Sequence, residues 1–121
     1  MGNELSNSAE VLKRAASLDL YHKLVVQLKK DFALANIPFH PLEEISPSEL
    51  ISLLREKIYV LLMEQFPEYL NLLYIIDVPE KSFSGGDTKD AADMADEAAY
   101  LILKREWQKV WFKDSYKGGS S

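Results

Sequence analysis

The sequence predicts an all-α fold, a small bundle of four to five helices with a proline-rich connection between the first and second main helices. Apolar residues recur every three or four positions over most of the chain, which places them on one face of a helix. A nearly complete set of helix-start signals also precedes one of the apolar stretches. With 121 residues the chain can bury one core. We therefore expect a single bundle domain over residues 8–116, a disordered N-terminus over 1–7 and a linker or tag remnant over 117–121.

The first helical segment is predicted from about Ser8 to Asn36. Its apolar stripe consists of Leu12, Ala16, Leu20, Leu24, Leu28 and Phe32. Ser17 and Asp19 are residue types that cap helix starts, so the segment is either one helix or a short helix followed by a firm one from about Leu18. Residues 37–41 should then be extended, because each of their two prolines disfavours helix in the residue before it.

The second main helix has the clearest start in the chain. Ser46 is suited to the N-cap, Pro47 to the first helical position, and Glu49 to a capping box with Ser46. Ile45 and Leu50 have the spacing of a hydrophobic staple. Apolar residues then lie on more than one side of the helix, which predicts burial on more than one side.

Pro67 predicts a break or kink, followed by a helix from Pro67 to about Ile76 that is apolar almost all round. A buried β-strand over Leu72 to Val78 is the competing interpretation, because this stretch contains β-branched and aromatic residues.

Residues 79–87 carry the composition of a loop, and Asp87 or Thr88 is expected to cap a last helix that runs to about Lys113. Acidic residues lie in its first turns and basic residues in its later turns, an arrangement that complements the helix dipole.

Two stretches, Tyr74–Glu80 and Ile102–Val110, resemble sequences of small uncharacterised helical proteins of Bacteroidetes-type bacteria. The resemblance covers roughly Leu20 to Lys113. It implies a bacterial, cytoplasmic origin and no catalytic activity.

Composition argues against several classes of protein. The chain has no cysteine, which removes disulfides and Cys-based zinc sites and suits a reducing compartment. Its net charge of −5 argues against a general nucleic-acid binder. No apolar run is long enough to span a bilayer, and the N-terminus lacks a signal peptide pattern. We therefore expect an acidic cytoplasmic protein without a membrane span, a cofactor or a metal.

The acidic series of the last helix comprises Asp90, Asp93, Asp96 and Glu97. Several of these carboxylates share one helix face and have the chemistry to hold Mg²⁺ or Ca²⁺, although a solvated first turn is the simpler interpretation. His22 and His40 have no partner at a metal-binding spacing, so neither is assigned as a ligand. No motif for acyl transfer or nucleotide binding is present, and no catalytic residue is assigned.

The last helix also interleaves cations with aromatic rings, a pattern that suits packing against a helix or a partner and, as an alternative, nucleic-acid binding. The cations and rings are Lys104, Arg105, Trp107, Lys109, Trp111, Lys113 and Tyr116. We predict a non-catalytic protein–protein interaction module, with self-association as a homodimer included. The reason is that 47% of the residues are hydrophobic and residues 58–76 are apolar almost all round, which is more apolar surface than a small bundle readily hides. The candidate partner-binding residues are Tyr69, Tyr74, Trp107 and Trp111. A metal-dependent hydrolase that uses the acidic face is the alternative from another class.

Overall fold

The computed structural model describes residues 5–79 and 90–119, and these residues form five helices and no strand. The helices are α1 (Ser8–Ser17), α2 (Tyr21–Leu34), α3 (Pro47–Glu64), α4 (Phe66–Ile76) and α5 (Ala91–Gly119). The predicted all-α bundle is confirmed. The strand alternative for residues 72–78 is wrong, since residues 72–76 belong to α4 and bury Leu72, Leu73 and Ile76 at helical spacing, and Asp77 follows the helix in the left-handed conformation.

The segment 8–36 is two helices, but the expected N-cap at their junction is wrong. Leu20 occupies the N-cap position of α2 and no side chain caps the helix. The junction is instead a helix stop, because Asp19 adopts the left-handed conformation with φ of 62°. The amide of Asp19 donates to the Ala16 carbonyl at 3.0 Å and that of Leu20 to the Ala15 carbonyl at 2.7 Å, which is the Schellman pattern.

Two further helices end in the same way. Asn36 follows α2 with φ of 66°, and Asp77 follows α4 with φ of 75°. The next residue, Ile37 or Val78, is buried and donates its amide back into the helix. Each of these ends combines a left-handed Asn or Asp with an apolar anchor, so the chain reverses without glycine.

The helix starts at α3 and α4 follow the predictions. Ser46 accepts from the Glu49 amide at 3.3 Å, and the Glu49 carboxylate accepts from the Ser46 amide at 3.2 Å. Ile45 packs against the core. The predicted break before α4 is confirmed at Gln65, whose φ of −143° is not helical, and Pro67 lies in the first turn of α4.

Helix α5 is the centre of the bundle, since it packs against each of the other four helices. Its buried face is one continuous stripe of two residues per turn, formed by Ala95, Ala98, Ala99, Ile102, Leu103, Glu106, Trp107 and Val110. The small alanines allow close approach of neighbouring helices at the N-terminal half. One core cluster includes buried residues from all five helices.

The ends of α5 differ from the prediction. Asp87 and Thr88, the expected caps, lie outside the described residues. Asp90 fills this role at the observed start, because its carboxylate accepts from the Asp93 amide at 2.8 Å. The helix continues past the predicted end at Lys113 to Gly119. None of the helices in the described part of the chain has the length and apolarity that a membrane-spanning segment needs.

Candidate interaction surfaces and a buried charge cluster

Helix α4 is apolar on two faces, and the other described helices cover only one of them. On the other face Phe66, Leu70 and Tyr74 are spaced four residues apart, and their exposed fractions are 47%, 49% and 82%. We call these three residues the α4 stripe. Tyr59 and Met63, exposed near the end of α3, precede it. Contiguous exposed apolar residues of this kind are typical of a protein-interaction surface.

The neighbours of the α4 stripe at its N-terminal end are acidic. Glu64 and Glu68 are exposed, and no lysine or arginine occurs between residues 58 and 80 of the sequence. A partner at this surface therefore gains from carrying positive charge.

A second exposed surface lies on the C-terminal part of α5. Trp111 and Phe112 are 47% and 69% exposed, and we call this pair the α5 aromatic end. With Arg105, Gln108 and Lys109 they line a cleft of about 410 Å³. This surface is aromatic and basic, the opposite in charge to the surroundings of the α4 stripe.

The two surfaces adjoin at the C-terminus of α4. Arg105 Nη2 lies 3.0 Å from Asp77 Oδ2, and Lys109 Nζ donates to the Ile76 carbonyl at 3.2 Å. These contacts hold the C-terminal end of α4 against α5, about one turn of α5 before the α5 aromatic end. A single partner surface can therefore cover parts of both.

The four residues predicted to bind a partner divide into two pairs. Tyr74 and Trp111 are exposed on the two surfaces, whereas Tyr69 and Trp107 are only 4% and 8% exposed and belong to the core. Burial, together with a smaller effect of the negative charge of Glu97, raises the pKa of the Tyr69 phenol to about 12.

Behind the cleft lies a buried charge cluster of Asp31, Glu106 and Lys109. Lys109 Nζ lies 2.6 Å from Asp31 Oδ2 and 3.2 Å from Glu106 Oε1. Asp31 is 3% exposed and Glu106 is fully buried. Gln27 Nε2 also donates to Asp31 Oδ1 at 3.1 Å. The cluster joins α2 to α5, and Lys109 extends it to the end of α4.

Glu106 is the unusual member of this cluster. Neither of its carboxyl oxygens has a hydrogen-bond partner, although Oε1 is close to the Lys109 ammonium group. The pKa of Glu106 is raised to about 9, mainly by burial and also by the neighbouring Asp31 carboxylate, while Lys109 opposes the rise. Glu106 is therefore protonated at neutral pH, and the cluster consists of one Asp–Lys ion pair beside a neutral acid.

Neither Asp31 nor Glu106 is among the residues predicted from the sequence to form a site, although helical spacing carries a signal for both. Asp31 follows Leu24 by seven residues on the buried stripe of α2, and Glu106 follows Ile102 by four on that of α5. A charged residue at a position that periodicity assigns to the core is the feature that identifies the cluster.

The structure gives the acidic series local partners. Asp90 caps α5, and Asp96 pairs with Arg55 at 3.2 Å. His22 and His40 are exposed on different parts of the chain. Within residues 5–79 and 90–119, no three His, Cys, Asp or Glu side chains are grouped closely enough to share a metal ion.

Comparison of the chain with protein-family models, curated proteins and solved structures gave no significant match.

Proposed function

We propose that this chain is a non-catalytic helical interaction module that self-associates, with the α4 stripe of one copy against the α5 aromatic end of another. The exposed stripe Phe66–Leu70–Tyr74 carries the proposal. Its spacing is that of a helix face packed against a helix, but none of the helices described over residues 5–79 and 90–119 covers that side.

Charge complementarity favours a second copy as the partner. The α4 stripe is flanked by Glu64 and Glu68, and the cleft at the α5 aromatic end is lined by Arg105 and Lys109. Opposite charges at the rim of an apolar contact steer and orient association. Two copies with like surfaces face to face would instead bring like charges together.

The adjoining positions of the two surfaces favour a closed dimer. In a two-fold arrangement each copy supplies both surfaces, so the contact forms twice and the assembly closes. A fully exposed aromatic side chain presents about 200 Å² of surface. Multiplied by the exposed fractions of Phe66, Tyr74, Trp111 and Phe112, this area gives roughly 500 Å² of exposed aromatic surface per copy. Two copies then bury roughly 1,000 Å² before the polar rim is counted, close to the lower limit for a specific interface.

Sedimentation equilibrium at tens of micromolar protein tests the proposal. The wild-type chain should sediment as a dimer, and Leu70→Glu or Phe112→Glu should sediment as a monomer, because each places a charge within the apolar contact. Leu42→Glu is the matched control, since Leu42 is an exposed leucine in the α2–α3 connection. This control should remain a dimer.

The charge component has its own test. The double variant Glu64→Lys with Glu68→Lys should weaken the dimer, and added salt should weaken the wild-type dimer by screening. A strictly monomeric wild type at these concentrations would refute self-association. A dimer that Leu70→Glu leaves intact would refute the proposed surface. The bacterial, cytoplasmic origin implied by the resemblance stays a prediction.

A further inference from the structure

A groove of about 410 Å³ lies between α2 and the C-terminal part of α5. Its apolar lining comes from Val26, Val110 and Tyr116. Val26 and Tyr116 are 49% and 79% exposed, so the groove is open to solvent. None of the α4 stripe or α5 aromatic end residues lines it.

Three lysines surround this apolar lining, namely Lys23, Lys30 and Lys113. Among the described lining residues Asp114 is the single acidic one, and it pairs with Lys23 at 3.3 Å. Lys30 forms no ion pair within the described residues. The groove thus carries a net charge of about +2 in a chain whose net charge is −5.

The position of Lys113 is fixed from within the protein. Its ammonium group donates to Gln27 Oε1 at 3.0 Å, and Gln27 Nε2 donates to Asp31 Oδ1 at 3.1 Å. Asp31 is almost fully buried and is held in turn by Lys109. This chain of bonds orients the Gln27 amide and places a preorganised cation at the edge of an apolar groove.

We infer that this groove binds an anionic amphiphile, a carboxylate with an alkyl chain of medium length. The carboxylate would lie between Lys30 and Lys113, and the alkyl chain along Val26, Val110 and Tyr116. The groove volume is within the range of about 300–1,000 Å³ that is usual for small-molecule sites. A cationic amphiphile would meet like charge, and a neutral one would leave the lysines unused.

Isothermal titration with decanoate, kept below its micelle concentration, tests the inference. Decanoate should bind with one site per chain, whereas acetate, decanol and decyltrimethylammonium should each bind at least tenfold more weakly. Lys30→Glu should weaken decanoate binding about tenfold, because it replaces an attractive charge with a repulsive one. Lys13→Glu, an equal charge change at an exposed position of α1, should leave binding unchanged.

A second variant tests the apolar lining by filling the groove with a larger side chain. Val26→Trp should fill the groove and abolish binding, and circular dichroism with thermal melting should show that the variant folds. The inference is overturned if decanol binds as tightly as decanoate, if Lys30→Glu binds like wild type, or if no saturable binding occurs below the micelle concentration. Binding of an acidic helical peptide in place of decanoate would also overturn it.

The groove and the proposed dimer surface can be tested separately. Leu70→Glu should lose the dimer and bind decanoate normally, whereas Lys30→Glu should lose decanoate binding and keep the dimer.

Discussion

Replacement of Glu106 by glutamine should change how the stability of the protein depends on pH. Glu106 is fully buried beside Asp31 and Lys109, and its pKa is raised from 4.5 to about 9. The folded state therefore holds a proton that the unfolded state releases between these two values. Because the folded pKa of this acid is raised, the free energy of unfolding falls as pH rises from 4.5 to 9.

The size of the effect follows from the shift. Each rise of one pH unit within this window lowers the free energy of unfolding by about 1.4 kcal/mol. At pH 7, which lies 2.5 units above the ordinary value of 4.5, Glu106 should lower the stability by about 3 kcal/mol relative to acidic pH. Glutamine has nearly the same shape and does not titrate. The difference in stability between the variant and the wild type should therefore grow in favour of the variant from pH 5 to pH 8.

Urea unfolding of both proteins at pH 5, 6, 7 and 8 measures this difference. The hydrogen bonds of the new glutamine can change the free energy of unfolding by a constant amount at every pH. Such a constant does not affect how the stability difference changes with pH, which is the quantity measured. Glu68→Gln, the same substitution at an exposed position, is the control. A difference between Glu106→Gln and wild type that stays constant from pH 5 to 8 would show that Glu106 is ionised in the folded protein.

Three further predictions concern stability. Ser46→Ala should cost about 0.5–2 kcal/mol in urea unfolding, because it removes the acceptor at the start of α3; a variant as stable as wild type would contradict this role for the cap. Asn36→Ala should cost about 1 kcal/mol and Asn36→Gly should not, because alanine is unfavourable at a φ of 66°; equal losses would argue against a left-handed conformation there. Millimolar Mg²⁺, Mn²⁺ or Ca²⁺ should leave the melting temperature almost unchanged, since Asp96 already pairs with Arg55. A bound cation at about 100 times its dissociation constant would raise the free energy of unfolding by about 2.7 kcal/mol. A stabilisation of this size that the double variant Asp93→Asn with Asp96→Asn abolishes would favour the hydrolase alternative.

Helix boundaries could be predicted where neighbouring residues alone determine them. The capping box at Ser46 and the break at Pro67 are local, and both are observed. The α1–α2 junction was misinterpreted because Asp serves both as a helix cap and as a left-handed stop. Only the bonds from Asp19 and Leu20 back into α1 show which role applies.

The exposed surfaces were harder to predict because α4 is apolar almost all round. Periodicity does not say which of its apolar faces meets the bundle. Tyr69 and Tyr74 are alike in the sequence, but packing against the other helices buries the first and leaves the second in solvent. The buried charge cluster was missed for a related reason, since Lys109 is separated from Asp31 by most of the chain and only the fold brings them together.

The central place of α5 has a consequence for synthesis on the ribosome. Helices α1 to α4 leave the ribosome before α5, although α5 contacts all of them. At a rate of about 5–20 residues per second, the 29 residues of α5 take roughly 1–6 s to synthesise. During this time the apolar faces of the first four helices lack their common partner. We therefore expect the cooperative bundle to form only after α5 has been synthesised.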